Sequence, residues 1–316
     1  MDFVVGSDPF AKELADRLGV RYVVFELYHY EDGELAPRIL ADYEELEGKH
    51  GAVVGRLSYP TTPEKVSYFL ETVSRIVGNL TDEELYNVSS VDVVLPWYVT
   101  SRQDHNPRTD PSEKVRARDK GKDIGYKELI KTMKGKGASR IVTFSPHFHV
   151  EEGVFQRYGL DIVSLSGVEA LARHFSDVDK DTIVVARDEK AKHLADRLGR
   201  LLGLESASLE KERLTSTEVL YSGKFDAKGR NILAIDDVTT GVGIEKFLTN
   251  IENSANIDFS IIHAALSPEG YRAINRLLNN HQIRQFIPTD TTITAFNRPN
   301  TTIIPELTAY LKQPPP

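Results

Sequence analysis

At 316 residues, with 40% hydrophobic and 27% charged side chains, the chain is long enough for two ordinary domains and too evenly mixed to be disordered or fibrous. A net charge of -8 argues against a general nucleic-acid binder, although it leaves room for a local basic phosphate site. Cysteine is absent, which excludes disulfides, zinc–thiolate sites and thiol nucleophiles, and no apolar run is long enough to span a bilayer. A cytoplasmic protein without membrane or nucleic-acid partners is the expectation.

Short β-branched runs recur at residues 2–5, 51–55, 91–95, 140–144, 182–186, 231–235 and 259–264. Between them, amphipathic spacing predicts helices over 9–18, 63–76, 126–134, 190–202, 243–253 and 268–278. This alternation predicts an α/β protein whose parallel sheets are covered by helices. The line between two halves is expected near residues 158–161, giving domains 1–158 and 159–312 and a tail over 313–316, where three prolines cannot extend a helix.

Ligands of open α/β sheets bind beyond the carboxyl ends of the strands, so chemistry is sought just after each run. The run at 91–95 is followed by Pro96-Trp97-Tyr98 and Arg102-Gln103-Asp104-His105, and that at 140–144 by Ser145-Pro146-His147-Phe148-His149. Arg187-Asp188-Glu189-Lys190 follows 182–186, and Asp236-Asp237-Val238-Thr239-Thr240-Gly241-Val242-Gly243 follows 231–235. Carboxylates, imidazoles, a guanidinium and a Gly/Thr turn suit a metal-bound polyphosphate. Of the histidines, His29, His50, His105, His174, His193, His263 and His281 show no ligand spacing, while His149 lies two positions from His147. Trp97 and Tyr98 read as wall residues.

The strongest unit is the apolar strand that ends in Asp236 and Asp237. Two carboxylates there can hold sugar hydroxyls or a hydrated Mg²⁺, and a Gly/Thr turn leading into a helix offers N–H groups to a phosphate. A second unit is Lys211-Glu212-Arg213. Its alternating charges fit a solvated hairpin; beside a phosphate loop, the two cations on one face could instead stabilise a transferring phosphoryl group.

In order and spacing these segments resemble the ribose-phosphate pyrophosphokinases (phosphoribosyl pyrophosphate synthetases), in particular their archaeal branch, over almost the whole length. The family's phenylalanine-x-aspartate-glycine-glutamate turn corresponds to Tyr30-Glu31-Asp32-Gly33-Glu34, and its arginine-glutamine-aspartate to Arg102-Gln103-Asp104. Its metal-binding histidine falls on His147, its second-half aspartate on Asp188, its lysine-x-arginine on Lys211 and Arg213, and its ribose-binding carboxylates on Asp236 and Asp237. The resemblance implies two similar doubly wound domains of the phosphoribosyltransferase type. It also implies transfer of pyrophosphate from ATP to ribose 5-phosphate with Mg²⁺, in a homo-oligomer. ATP would meet Tyr30, Asp32, Glu34, Arg102, Gln103 and Asp104; the sugar phosphate would meet Asp236, Asp237, Thr239, Thr240, Gly241 and Gly243. Lys211 and Arg213 would stabilise the transferring group, and His147 and Asp188 would bind the metal.

Two segments depart from the family pattern. The sugar-phosphate loop is one residue short, and its glycine-glycine-threonine has become Gly241-Val242-Gly243-Ile244, which removes a hydroxyl and is expected to strain Val242 if the turn needs positive φ. Residues 105–125 are longer and more charged than the family's turn. Two rival readings follow: an impaired paralogue acting as a binding or regulatory subunit, and a phosphoribosyltransferase that consumes the activated sugar.

Overall fold

The computed structural model describes residues 1–32, 34–103, 125–209, 211–213, 219–221, 223–294 and 301–313. Asp104, the charged stretch 105–124 and the prolines 314–316 lie outside the described residues, and Lys211 and Arg213 enter through their backbone. The chain forms two compact units. One comprises Met1–Leu57, Thr62–Leu165 and Ile304–Pro316; the other comprises Ser58–Thr61 and Ser166–Ile303. This differs from a line at 158/159, for a physical reason: the strand at Leu160–Leu165 completes the first sheet by pairing in parallel with Arg140–Phe144, and the last helix, Ile304–Leu311, packs on Pro9–Leu18.

The first unit is built on β1 (Phe3–Gly6), β2 (Arg21–His29), β3 (Leu35–Ile39) and β4 (His50–Val54); β5 (Ser58–Tyr59) follows in the chain but belongs to the second unit. With β6 (Ser90–Val94), β7 (Arg140–Phe144), β8 (Gly153–Arg157) and β9 (Leu160–Leu165), it makes a sheet in the order β3-β2-β1-β4-β6-β7-β9-β8. The central strands are parallel and buried along their length, which is why they read as unbroken apolar runs. Among the described residues, the antiparallel pairs of this sheet are the outer ones, β2 with β3 and β8 with β9. Helix Pro9–Leu18 starts where Asp8 accepts the Ala11 N–H at 2.9 Å and ends at Gly19, φ 73°. Helix Pro63–Thr81 runs beyond the predicted 76 because Val77 and Leu80 continue the apolar stripe into the core.

A buried ion cluster ties strands of this unit together. Arg140 donates to both oxygens of Asp92 at 2.9 and 2.7 Å, His50 Nε2 lies 3.1 Å from Asp92 Oδ2, and Arg140 also donates to the Tyr310 hydroxyl of the last helix at 3.1 Å. Burial raises the Asp92 pKa, but the hydrogen bonds and charges of His50 and Arg140 outweigh it and hold the carboxyl below its usual value.

The second unit is built on β10 (Thr182–Ala186), β11 (Glu205–Ser208), β15 (Asn231–Thr239), β17 (Ile257–Ala264) and β18 (Gln285–Pro288), all parallel, in the order β11-β10-β15-β17-β18. Outside that sheet, β12 (Lys211–Arg213) pairs with β13 (Val219–Tyr221), β14 (Phe225–Asp226) with β16 (Ile251–Glu252), and β5 with β19 (Ile293–Thr294). Phe247, Phe259, Phe286 and Ile274 sit in the core on one side of the sheet, and Leu171, Leu194 and Leu198 in the core on the other. The helix predicted over 243–253 is only Ile244–Leu248. It stops because the Asn250 amide folds back onto the Lys246 carbonyl at 2.7 Å and Ile251 is taken up by β16.

Candidate active site

The second-unit residues gather around the end of β15. That strand does not stop at Ile235 as its apolar run suggested: Asp236, Val238 and Thr239 remain paired to β17 opposite Ile261, His263 and Ala264. The two carboxylates therefore lie on successive strand positions and face opposite ways. Asp236 is 6% exposed, and its Oδ2 accepts from Arg187 Nη1 at 2.9 Å. Asp237 is half-buried and accepts the Val238 N–H at 2.7 Å. Register explains the Asp236 pair: Ala186 is opposite Ile235, so Arg187 stands beside Asp236 one position further on.

The turn that follows is held by its own contacts. Thr239 Oγ1 accepts from the Gly241 N–H at 3.0 Å and from Arg187 Nη1 at 3.4 Å. The Thr240 carbonyl accepts from the Ser267 N–H at 3.0 Å. Gly241 and Gly243 have φ of 84° and 88°, and Val242 is not among the residues with positive φ. This corrects the expected strain at Val242: the two glycines occupy the left-handed positions, leaving the valine on ordinary backbone and 44% exposed. Gly241 is also required sterically, since a Cβ there would lie 2.5 Å from Gly270 Cα. At Gly243 the nearest atom to such a carbon would be Arg187 Nη2, 3.8 Å away. The turn leads into a helix of only five residues, so backbone N–H groups rather than a long helix dipole are what it can offer an anion.

Asp188 stands at the end of β10, half-buried, where one carboxylate oxygen caps the next turn by accepting the Ala191 N–H at 3.1 Å. Lys211 and Arg213 lie at either end of β12, in the hairpin with β13 rather than in the five-stranded sheet.

The other expected residues belong to the first unit. His147 follows β7 beyond Ser145, a non-glycine residue at φ 34°, and is half-buried. His149 packs on Phe155 with ring centroids 3.8 Å apart, and burial, followed by the charge of Arg157, pushes its pKa down. Trp97 and Tyr98 are buried; the Tyr98 hydroxyl donates to the Tyr126 carbonyl at 2.8 Å, and burial holds it well above its usual pKa. Tyr30, Asp32 and Glu34 form the tip of the β2–β3 hairpin, closed by Tyr30 N–H to Glu34 O at 3.0 Å and by Glu34 N–H to Asp32 Oδ1 at 3.0 Å. Tyr30 is 53% exposed, and its ring stands edge-to-face with that of Tyr28, centroids 5.0 Å apart. Arg102 and Gln103 are exposed on the loop after β6. Among the described residues no three His, Asp or Glu side chains form a metal cluster by themselves. A cavity of about 730 Å³ in this unit, lined in part by Arg75, Gly78 and Lys136, contains none of the expected site residues. No described helix is long and apolar enough to cross a membrane.

Arg187 stood among the strand-end residues in the sequence but was given no role of its own there. The signal was present, a charged side chain at the end of an apolar strand, but its importance lies in a partner 49 positions away.

No family model matches the chain. A ribose-phosphate pyrophosphokinase of Thermococcus kodakarensis is 25% identical over 295 residues, covering 91% of this chain and 94% of that protein. One from Sulfolobus acidocaldarius is 27% identical over 285 residues, covering 89% and 88%. The crystal structure of phosphoribosylpyrophosphate synthetase from Mycobacterium smegmatis matches the fold with a TM-score of 0.73 at 20% identity, over 98% of this chain and 97% of that one. The chain is thus similar from end to end to ribose-phosphate pyrophosphokinases and shares the α/β fold of the phosphoribosylpyrophosphate synthetase structure.

Proposed function

We propose that the protein transfers the pyrophosphoryl group of ATP to the 1-hydroxyl of ribose 5-phosphate, giving phosphoribosyl pyrophosphate and AMP. The observation that carries the reading is the end of β15, where Asp236 and Asp237 run into an unstrained turn with glycines at both left-handed positions. Asp237, the more accessible carboxylate, takes the ribose hydroxyls, while Asp236 is held by Arg187 and orients the strand end. Thr239, Thr240, Gly241 and Gly243 take the 5-phosphate. Lys211 and Arg213 offset charge on the transferring group; such fixed cations suffice because the transfer needs positioning and electrostatics and no covalent intermediate. The exposed Tyr30 ring, Asp32, Glu34, Arg102, Gln103 and Asp104 take the nucleotide.

Mg²⁺ is commonly held by one or two carboxylates, substrate phosphates and water. Asp188 and Asp237 supply oxygen donors of that kind, so the residues of the second unit fit the ion. His147 is assigned to it on the family resemblance alone, an imidazole being a less usual partner for so hard a cation. When bound, the ion would neutralise charge on the polyphosphate. A cytoplasmic homo-oligomer is proposed on the same resemblance.

Purified protein with ATP, ribose 5-phosphate and Mg²⁺ should release AMP, and each omission should abolish it. ADP as the main product, or AMP without the sugar, would overturn the reading. ATP binding without turnover would favour the regulatory-subunit alternative.

A further inference from the structure

Arg187 carries a fixed charge in a place where stability alone accounts for it poorly. Its side chain is 10% exposed and that of Asp236 is 8% exposed, so both ions are desolvated. A buried pair of this kind commonly stabilises a fold no better than well-packed apolar residues would, because desolvation offsets the attraction. Among the described residues, its side-chain hydrogen bonds lie along the turn. Nη1 bonds Asp236 Oδ2 at 2.9 Å and reaches Thr239 Oγ1 at 3.4 Å, and Nη2 is the atom nearest the open position on Gly243. One planar, permanently charged group thus underlies the turn from its first carboxylate to its last glycine. Guanidinium is suited to that task, since its fork can hold two partners at once and cannot lose its proton.

The turn itself brings little positive charge. Its helix is five residues long, and the Thr239 hydroxyl already accepts from Gly241 and Arg187. We propose that Arg187 is a positioning and specificity-determining residue of the sugar-phosphate site: it fixes Asp236 and Thr239, and it places behind the turn the positive charge that selects a phosphorylated sugar over the free sugar. The assignment rests on reading residues 239–243 as a sugar-phosphate turn.

The test combines direct binding with kinetics on Arg187→Gln and Arg187→Lys. Titration of ribose 5-phosphate without ATP should show binding to the wild-type protein much tighter than that of ribose, weakened about 10- to 100-fold in Arg187→Gln, the size expected when a charge-assisted hydrogen bond that holds the site, here the one to Asp236, is lost. Arg187→Lys keeps the charge but not the fork, so it should recover part of the loss, and it serves as the informative variant if Arg187→Gln fails to fold. In turnover, KM for ribose 5-phosphate should rise while KM for ATP stays within about threefold, a split that general loosening of the fold would not produce. If the wild type releases AMP but both variants keep KM for ribose 5-phosphate within about twofold, or lose both substrates equally, the Arg187 assignment is overturned while the pyrophosphokinase reading survives. If the wild type binds ribose 5-phosphate with the predicted Arg187 dependence yet releases no AMP, the pyrophosphokinase reading fails and the Arg187 assignment stands. A wild type that binds ribose 5-phosphate no better than ribose overturns the assignment outright.

Discussion

Alanine at Gly241 and at Gly243 separates two physical demands that the same amino acid meets. The two glycines have φ of 84° and 88°, so either substitution forces an L side chain into left-handed backbone at a cost of roughly 1–2 kcal/mol. At Gly243 that is the main cost, because the new carbon has 3.8 Å to its nearest neighbour. At Gly241 the carbon would sit 2.5, 2.6 and 2.7 Å from Gly270 Cα, C and O, and none of these is a side chain that can swing aside. Overpacking of this kind adds about 1–3 kcal/mol, as the turn or the start of helix Pro268–Asn279 must move. The expected totals are then roughly 1–2 kcal/mol for Gly243→Ala and about 2–5 kcal/mol for Gly241→Ala. At about 2–4 °C per kcal/mol for a domain of this size, calorimetry should show Gly241→Ala lowering Tm about 1.5 to 4 times as far as Gly243→Ala. Its KM for ribose 5-phosphate should rise as well. Equal melting temperatures, or a larger loss at Gly243, would refute the close approach between the turn and Gly270.

Lys211→Ala and Arg213→Ala should each lower kcat on the order of 10²–10³-fold, as loss of a donor used in the transition state does, with Tm unchanged by differential scanning calorimetry; near-normal kcat in both would return β12 to a solvated hairpin. Asp92→Asn should cost about 3–5 kcal/mol near neutral pH, since it strands Arg140 without its buried partner. Because the Asp92 pKa is lowered by folding, its ion pair contributes fully above the unfolded carboxylate value of about 4 and fades as pH falls through the lowered one, so the gap between wild type and variant should narrow in acid. Melting curves from neutral to acid pH test this, and a gap independent of pH would remove Asp92 from the acid response.

The sequence by itself determined the α/β rhythm, most of the central strands and the strand end at which to look. These are legible because burial on both faces writes an unbroken apolar run, and a helix stripe repeats every three or four residues; both signals are local. The outer pairs β2–β3 and β8–β9 escaped that reading, since edge strands carry mixed residues such as Tyr28, Arg38 and Gln156. The extent of β15 escaped it too, because Asp236 and Asp237 look like the polar start of a loop until β17 supplies partners for the backbone around them. Only the tertiary structure decided that Val242 is unstrained, that Gly241 must be glycine and that Arg187 belongs to Asp236. Each depends on a residue distant in the chain, Gly270 for the turn and β10 beside β15 for the ion pair, and no local pattern encodes which distant residue arrives there.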